Sequence, residues 1–173
     1  TSRKNQKEGI EYAKYFHEIL QNDRVQFHFV GNMADNFYDY WSPLMKEVTP
    51  NVKVWGERKD VENFYSCMDI FLFTSRGYAH DKETSPLVLK EAIGWQMPIF
   101  MYNLPVYLNY YDKFNGIKYL MDDVTKNAEM LNKNITEMYS VIPKEFEVAF
   151  EEASNQVHIR HTQETDIGVS IVV

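Results

Sequence analysis

The sequence lacks paired cysteines, long apolar runs and an excess of basic charge, and each absence excludes a class of protein. One cysteine, Cys67, in 173 residues leaves no internal disulfide and favours a reducing compartment. No segment is apolar enough to span a bilayer, and the first residues, TSRKNQKEG, lack the apolar core of a signal peptide. A formal net charge of −7 argues against a broad nucleic-acid interface, which needs a basic face. These features predict a cytoplasmic protein.

Apolar side chains are plentiful. Hydrophobic residues make up 45% of the chain and aromatic residues 15%, which is enough to fill the core of one domain. The chain begins without Met and ends in the apolar run GVSIVV. We therefore expect a piece of a longer protein.

Helical and strand-like patterns alternate along the chain. After Gly9, apolar residues recur at helical spacing, and the β-branched and aromatic run VQFHFV follows. Further helices are predicted near 37–48, 61–68, 86–94, 122–139 and 145–153, and further strands at VKVW, DIFLFT, PIFM and GIKYL. This order predicts an α/β, Rossmann-like open parallel sheet with helices on both faces.

The predicted domain covers residues 1–154, and residues 155–173 form a tail or linker. In an open parallel sheet, ligands bind outside the carboxyl ends of the strands, where loops lead into helix N-termini. The stretch KETSPLVLKEA, Lys82 to Ala92, belongs to that edge. It is the most informative motif of the sequence.

A helix is expected to start inside this stretch, with Ser85 as its N-cap and Pro86 as its first helical residue. The backbone N–H groups of Ser85, Leu87 and Val88 would then offer hydrogen bonds to a phosphate or a sugar.

Glu83 and Glu91 lie on the two sides of this predicted helix start. In that position they could accept hydrogen bonds from the hydroxyls of a sugar and of a ribose. Spacing alone favours the simpler interpretation, in which Glu83 complements a helix dipole and Glu91 is a solvated helix charge.

A wider set of motifs accompanies the two glutamates. They are the Gly-terminated strand FHFVG, the strand VKVWG, the segment DVENFYSCMDIFLFTS, and then ETSPLVLKEA with Gly94 and Pro98 after it. From about Ser2 to about Asn134 the chain therefore resembles the donor-binding, C-terminal half of family-four-like retaining glycosyltransferases of the GT-B fold.

The resemblance implies roles for individual residues. It implies that Glu83 contacts the donor sugar, that Glu91 contacts the nucleotide ribose, and that Arg3 and Lys7 stabilise the diphosphate. Arg58 follows a strand-ending glycine, where members of the family place residues near the base. Taken alone, Arg3 and Lys7 fit a solvated basic terminus equally well, and Arg58 fits an ordinary surface arginine.

The resemblance also implies the ligands and the reaction. The donor is a sugar linked to UDP, GDP or ADP, and no prosthetic group or metal is implied. The sugar passes to an acceptor hydroxyl with retention of its anomeric configuration. The acceptor, which could be a glycan, a lipid or a protein, would meet the donor in a cleft against a second, N-terminal GT-B domain. Without that domain we expect weak donor binding and little or no turnover.

Two alternatives stay open. A non-catalytic GT-B-like scaffold or regulatory domain would keep the half-fold without chemistry, although it would not need both glutamates. The tail TDIGVSIVV resembles the first strand of a GT-A-type transferase domain, and it fits equally well an edge strand of this sheet or a strand that pairs with another copy.

Overall fold

The computed structural model describes residues 4–32, 37–76, 85–107, 110–140 and 169–173. The expected helix at 145–153 and the residues Arg3 and Glu83 lie outside these ranges.

Five α-helices and six β-strands make up this part of the chain. The helices are α1 (Gln6–Lys14), α2 (Tyr38–Met45), α3 (Val61–Cys67), α4 (Leu87–Gly94) and α5 (Val124–Ser140). The strands are β1 (Val25–Val30), β2 (Val52–Gly56), β3 (Ile70–Phe73), β4 (Ile99–Tyr102), β5 (Ile117–Leu120) and β6 (Val169–Val172). A π-helical turn, Tyr15–Ile19, continues α1, and a 3-10 turn, Pro105–Tyr107, follows β4.

The strands form one open parallel sheet in the order β2-β1-β6-β3-β4-β5. Two hydrophobic clusters cover its two faces. One contains side chains of α1, α2 and α5, and the other contains side chains of α3 and α4. The predicted Rossmann-like α/β sheet with helices on both faces is therefore confirmed.

The last strand of the chain, β6, lies inside the sheet, so the alternative that it forms an edge strand is wrong. β6 lies between β1 and β3, with Val25 opposite Val169 and Ile70 opposite Ile171. Ile171 is fully buried. The physical reason is that three of the four β6 residues are apolar, and a strand with both faces covered suits the middle of a parallel sheet.

α1 lies very close to the sheet at Gly9. A Cβ atom at this position would come within 2.8 Å of Val173 Cγ1 and 2.9 Å of Phe29 Cζ. The absence of a side chain therefore lets the first turns of α1 pack directly on β1 and on the end of β6.

Candidate functional site

The carboxyl edge of the sheet collects the ends of the strands and the starts of the helices. Gly31 directly follows β1, and β2 ends at Gly56, whose φ of 68° is a left-handed conformation that favours glycine. The strand order reverses in the middle of the sheet, because β1 leads to β2 on one side and β3 leads to β4 on the other. A crevice at such a reversal is where open α/β sheets bind ligands.

α4 starts at this edge, one residue later than the sequence predicted. Pro86 has an extended backbone, with φ −65° and ψ 123°, and it occupies the N-cap position, so that Leu87 is the first helical residue. Ser85 lies before the cap. The prediction of Ser85 as N-cap and Pro86 as first helical residue is therefore wrong, because the fixed φ of proline suits an extended residue as well as a helical one.

The start of α4 is accessible from solvent. Leu87 is 69% exposed, whereas Val88 packs against the cluster under the helix. The first N–H groups of a helix have no acceptor within the helix, so those of Leu87 and Val88 point out of its start. Together with the helix dipole they favour an anion at this place.

Glu91 lies on the second turn of α4 and is held by Tyr65 of α3. The Tyr65 hydroxyl donates a hydrogen bond of 2.8 Å to Glu91 Oε2. Burial, followed by the interaction with Glu91, raises the pKa of Tyr65. Tyr65 therefore stays a donor at neutral pH, and it fixes the orientation of an otherwise exposed carboxylate. The sequence did not indicate this pairing.

Lys7 lies on the first turn of α1. Its side chain is 62% exposed, and its Nζ lies 3.7 Å from Glu11 Oε1. α1 starts near the end of β3, because Thr74 Oγ1 donates a 2.8 Å hydrogen bond to the Lys4 carbonyl. Lys7 therefore lies at the carboxyl edge of the sheet, and its ammonium group faces solvent.

Arg58 follows the end of β2 at the same edge. Its guanidinium donates two hydrogen bonds to Asp60, of 2.9 and 2.8 Å, and lies over the Phe64 ring with Cζ 5.6 Å from the ring centre. The Arg58 side chain lowers the pKa of the Asp60 carboxyl to about 2. Arg58 is thus pre-oriented on an aromatic face, where the resemblance expects residues near the base.

A buried polar network around Glu8 also lies at this edge, and it was not predicted from the sequence. Glu8 is 4% exposed. Its Oε1 accepts hydrogen bonds from the hydroxyls of Tyr12, at 2.9 Å, and Tyr102. Its Oε2 accepts from Asn5 Nδ2, at 2.6 Å, and from Arg76 Nε, at 2.9 Å. The network ties the start of α1 to the ends of β3 and β4.

Burial and the Glu8 carboxylate raise the pKa of both Tyr12 and Tyr102. Both phenols therefore remain hydrogen-bond donors to Glu8. A signal for this network was present, since Glu8 precedes Tyr12 by four positions and so lies on the buried stripe of α1.

One of three comparisons with known proteins gave a match. A family model described as glycosyl transferases group 1 matches residues 2–140, and the chain therefore belongs to that family. Neither the curated proteins nor the solved structures that were compared gave a match. The open parallel sheet is the fold expected of a GT-B half.

Two kinds of feature are absent from the described ranges. None of the helices there combines the length and apolar character that a bilayer span requires. Nor do the side chains of His, Cys, Asp and Glu in that part of the chain form a group of three that could hold a metal ion.

Proposed function

We propose that this domain binds a nucleotide diphosphate sugar and presents the sugar for transfer to an acceptor hydroxyl with retention of its anomeric configuration. Membership of a glycosyltransferase family implies a sugar donor and an acceptor. The observation that carries the donor class is the Glu91 carboxylate, which Tyr65 orients one turn beyond the exposed start of α4.

The chemistry of this place suits a nucleotide diphosphate. The N–H groups of Leu87 and Val88 stabilise phosphate charge, and Glu91 Oε1 can accept hydrogen bonds from the two ribose hydroxyls. Lys7 and Arg3 would add positive charge to the leaving diphosphate as the glycosidic bond breaks. Ser85 would contribute its backbone N–H, Glu83 would contact the sugar, and Arg58 would lie near the base.

A second candidate function is a GT-B-like scaffold or regulatory domain without turnover. The observation that favours it is the exposed ion pair of Lys7 with Glu11, since a lysine that serves a diphosphate has no need of a carboxylate partner. Saturable nucleotide binding distinguishes the two candidates.

The test is calorimetric titration of the protein with UDP, GDP and ADP. We expect one nucleotide to bind saturably, and Glu91→Ala to weaken it by about tenfold or more, because hydrogen bonds to a charged group contribute about 1.5–3 kcal/mol. Glu18→Ala is the matched control, because Glu18 is an exposed helical glutamate at the other end of the α1 segment. Absence of binding to all three nucleotides, or equal affinity in Glu91→Ala, would contradict the proposal.

The domain by itself should transfer little or no sugar, because the second domain of a GT-B glycosyltransferase binds the acceptor. Robust transfer by the purified domain would refute this part of the proposal.

A further inference from the structure

The described part of the sheet has β2 as its outer strand on one side and β5 on the other. β2 is the more exposed of the two: Lys53, Val54 and Trp55 are all exposed, and no residue of this strand is buried. The outer strand of a sheet presents backbone N–H and C=O groups that can pair with a further strand. β2 therefore offers a surface on which another strand can bind.

The backbone of Val54 faces away from β1. The Phe27 N–H donates a hydrogen bond of 2.8 Å to the Asn51 carbonyl, so the backbone of Asn51 is directed toward β1. The direction alternates along a strand, and Val52 and Val54 therefore point their N–H and C=O groups outward. The Val52 N–H is bonded to the Thr49 carbonyl at 3.0 Å. Val54 can offer both of its backbone groups to a partner strand.

The side chain of Trp55 is held in one orientation beside this backbone. Its Nε1 donates a hydrogen bond of 3.0 Å to His28 Nδ1, and the two rings are nearly parallel, with 10° between their planes. The Phe64 ring meets Trp55 edge-on, with 5.4 Å between the ring centres. Trp55 is nevertheless 45% exposed. An ordered, exposed tryptophan loses little conformational freedom on association, and such residues contribute strongly to protein interfaces.

Lys53 lies on the same face of the sheet as Trp55. It stands opposite His28 in the pairing of β1 with β2, and Trp55 contacts the same histidine. An exposed lysine on an outer strand opposes pairing with most other strands. A partner that places an aromatic ring beside the ammonium group removes this obstacle, because a cation is attracted to the face of an indole ring.

A second copy of β2 provides such a partner. When two copies run antiparallel about a two-fold axis at Val54, each Val54 faces the Val54 of the other copy and exchanges two N–H···O=C bonds with it. Lys53 then lies opposite Trp55 of the other copy, in the type of pair that brings side chains closest together. The two-fold axis forms this cation–π contact twice. The strand sequence VKVW is thus complementary to itself.

We propose that β2 is an interface at which two copies of this chain associate, by antiparallel pairing centred on Val54. The inference is independent of the proposed function, because it uses neither the start of α4 nor a nucleotide. An interface of one strand is smaller than the roughly 1,200 Å² that most specific complexes bury, so we expect a weak dimer.

The test is sedimentation velocity of the whole chain from about 10 µM to about 1 mM, a range that covers weak association. Exchange of the Val54 amide hydrogen is followed by NMR over the same range. We expect the mean mass to rise from that of one chain toward that of two, and exchange at Val54 to slow as the dimer forms.

Lys53→Glu should raise the dissociation constant of the dimer by about tenfold or more, because it replaces both cation–π contacts by repulsive ones. Lys118→Glu is the matched control, because Lys118 is an exposed lysine of the other outer strand, β5. Val54→Pro should abolish the dimer, since proline lacks the N–H at the centre of the pairing. This N–H points away from β1, so the variant keeps the bonds between β1 and β2.

The inference is overturned if the chain stays monomeric up to about 1 mM. It is also overturned if Lys53→Glu and Lys118→Glu weaken the dimer equally. Slow exchange of the Val54 amide in the monomer would overturn it as well, because another segment of the same chain would then cover this edge.

Discussion

Arg76 Nε lies 2.9 Å from Glu8 Oε2, and this ion pair joins the end of β3 to the first turn of α1. The two residues are 68 positions apart in the chain. Both side chains are largely buried, with 18% and 5% exposure. The pair and its two tyrosines therefore hold the start of α1 against the sheet.

We expect Glu8→Ala to destabilise the fold by about 3–5 kcal/mol, because it leaves Arg76 and two phenols without their shared buried acceptor. Chemical denaturation monitored by circular dichroism measures this loss. Glu11→Ala is the control, because Glu11 forms the exposed pair with Lys7 and should change stability by no more than about 0.5 kcal/mol. Equal stability of the two variants would show that the Glu8 network contributes nothing.

Ile171→Ala tests the central position of β6. Ile171 is fully buried between β1 and β3, so we expect a loss of about 2–5 kcal/mol from the removed contacts and the cavity they leave. Ile19, which is 64% exposed at the end of the π-helical turn, provides the control Ile19→Ala. A small effect at Ile171 would be inconsistent with a strand in the middle of the sheet.

β3 and Glu8 show which parts of the structure the sequence predicts and which it does not. β3 was predicted because four consecutive apolar residues suit a strand that is buried on both faces, and all four are buried. Glu8 was missed because two of its partners, Arg76 and Tyr102, are 68 and 94 positions away, and the helical spacing of Glu8 and Tyr12 gives no information about them.

The ends of the helices and strands were likewise predicted only in part. The end of α4 at Gly94 was predicted from its glycine, but its start was misplaced by one residue. Proline fixes φ and leaves ψ open, so the sequence could not decide whether Pro86 is helical or extended. For the tail, the apolar pattern indicates a strand but carries no information about its neighbours, so the sequence leaves open an edge strand of this sheet, a strand that pairs with another copy and the first strand of a GT-A-type domain.

His28 should make the stability of the fold depend on pH. Its Nδ1 accepts a hydrogen bond of 3.0 Å from Trp55 Nε1, and burial, followed by the charge of Lys53, lowers its pKa from 6.5. Below pH 6.5 the unfolded chain binds a proton that the folded chain does not bind, so the free energy of unfolding should fall until the pH reaches the lowered pKa of the folded state.

The measurement is the free energy of unfolding of the wild type and of His28→Phe from neutral pH down to about pH 5, below the ordinary pKa of histidine. The variant should lack the part of the acid sensitivity that His28 causes. Parallel pH curves for the two proteins would contradict the assignment to His28.

Arg58 should affect ligand binding and leave stability nearly unchanged. Its ion pair with Asp60 is exposed, so we expect Arg58→Ala to keep the unfolding midpoint of the wild type. If Arg58 lies near the base, the variant should bind all nucleoside diphosphates more weakly and distinguish less between them. Unchanged affinity and selectivity in calorimetric titration would place the base elsewhere. Lys59→Ala is the matched control, because Lys59 is the exposed neighbouring cation.

A nucleoside diphosphate should bind at the start of α4. The most direct test follows the backbone amide signals of the isotope-labelled protein by NMR while UDP, GDP or ADP is added. We expect saturable shifts of the Leu87 and Val88 amides for one nucleotide, and loss of these shifts in Glu91→Ala. Saturable shifts confined to other parts of the chain, or no shift with any of the three nucleotides, would contradict it.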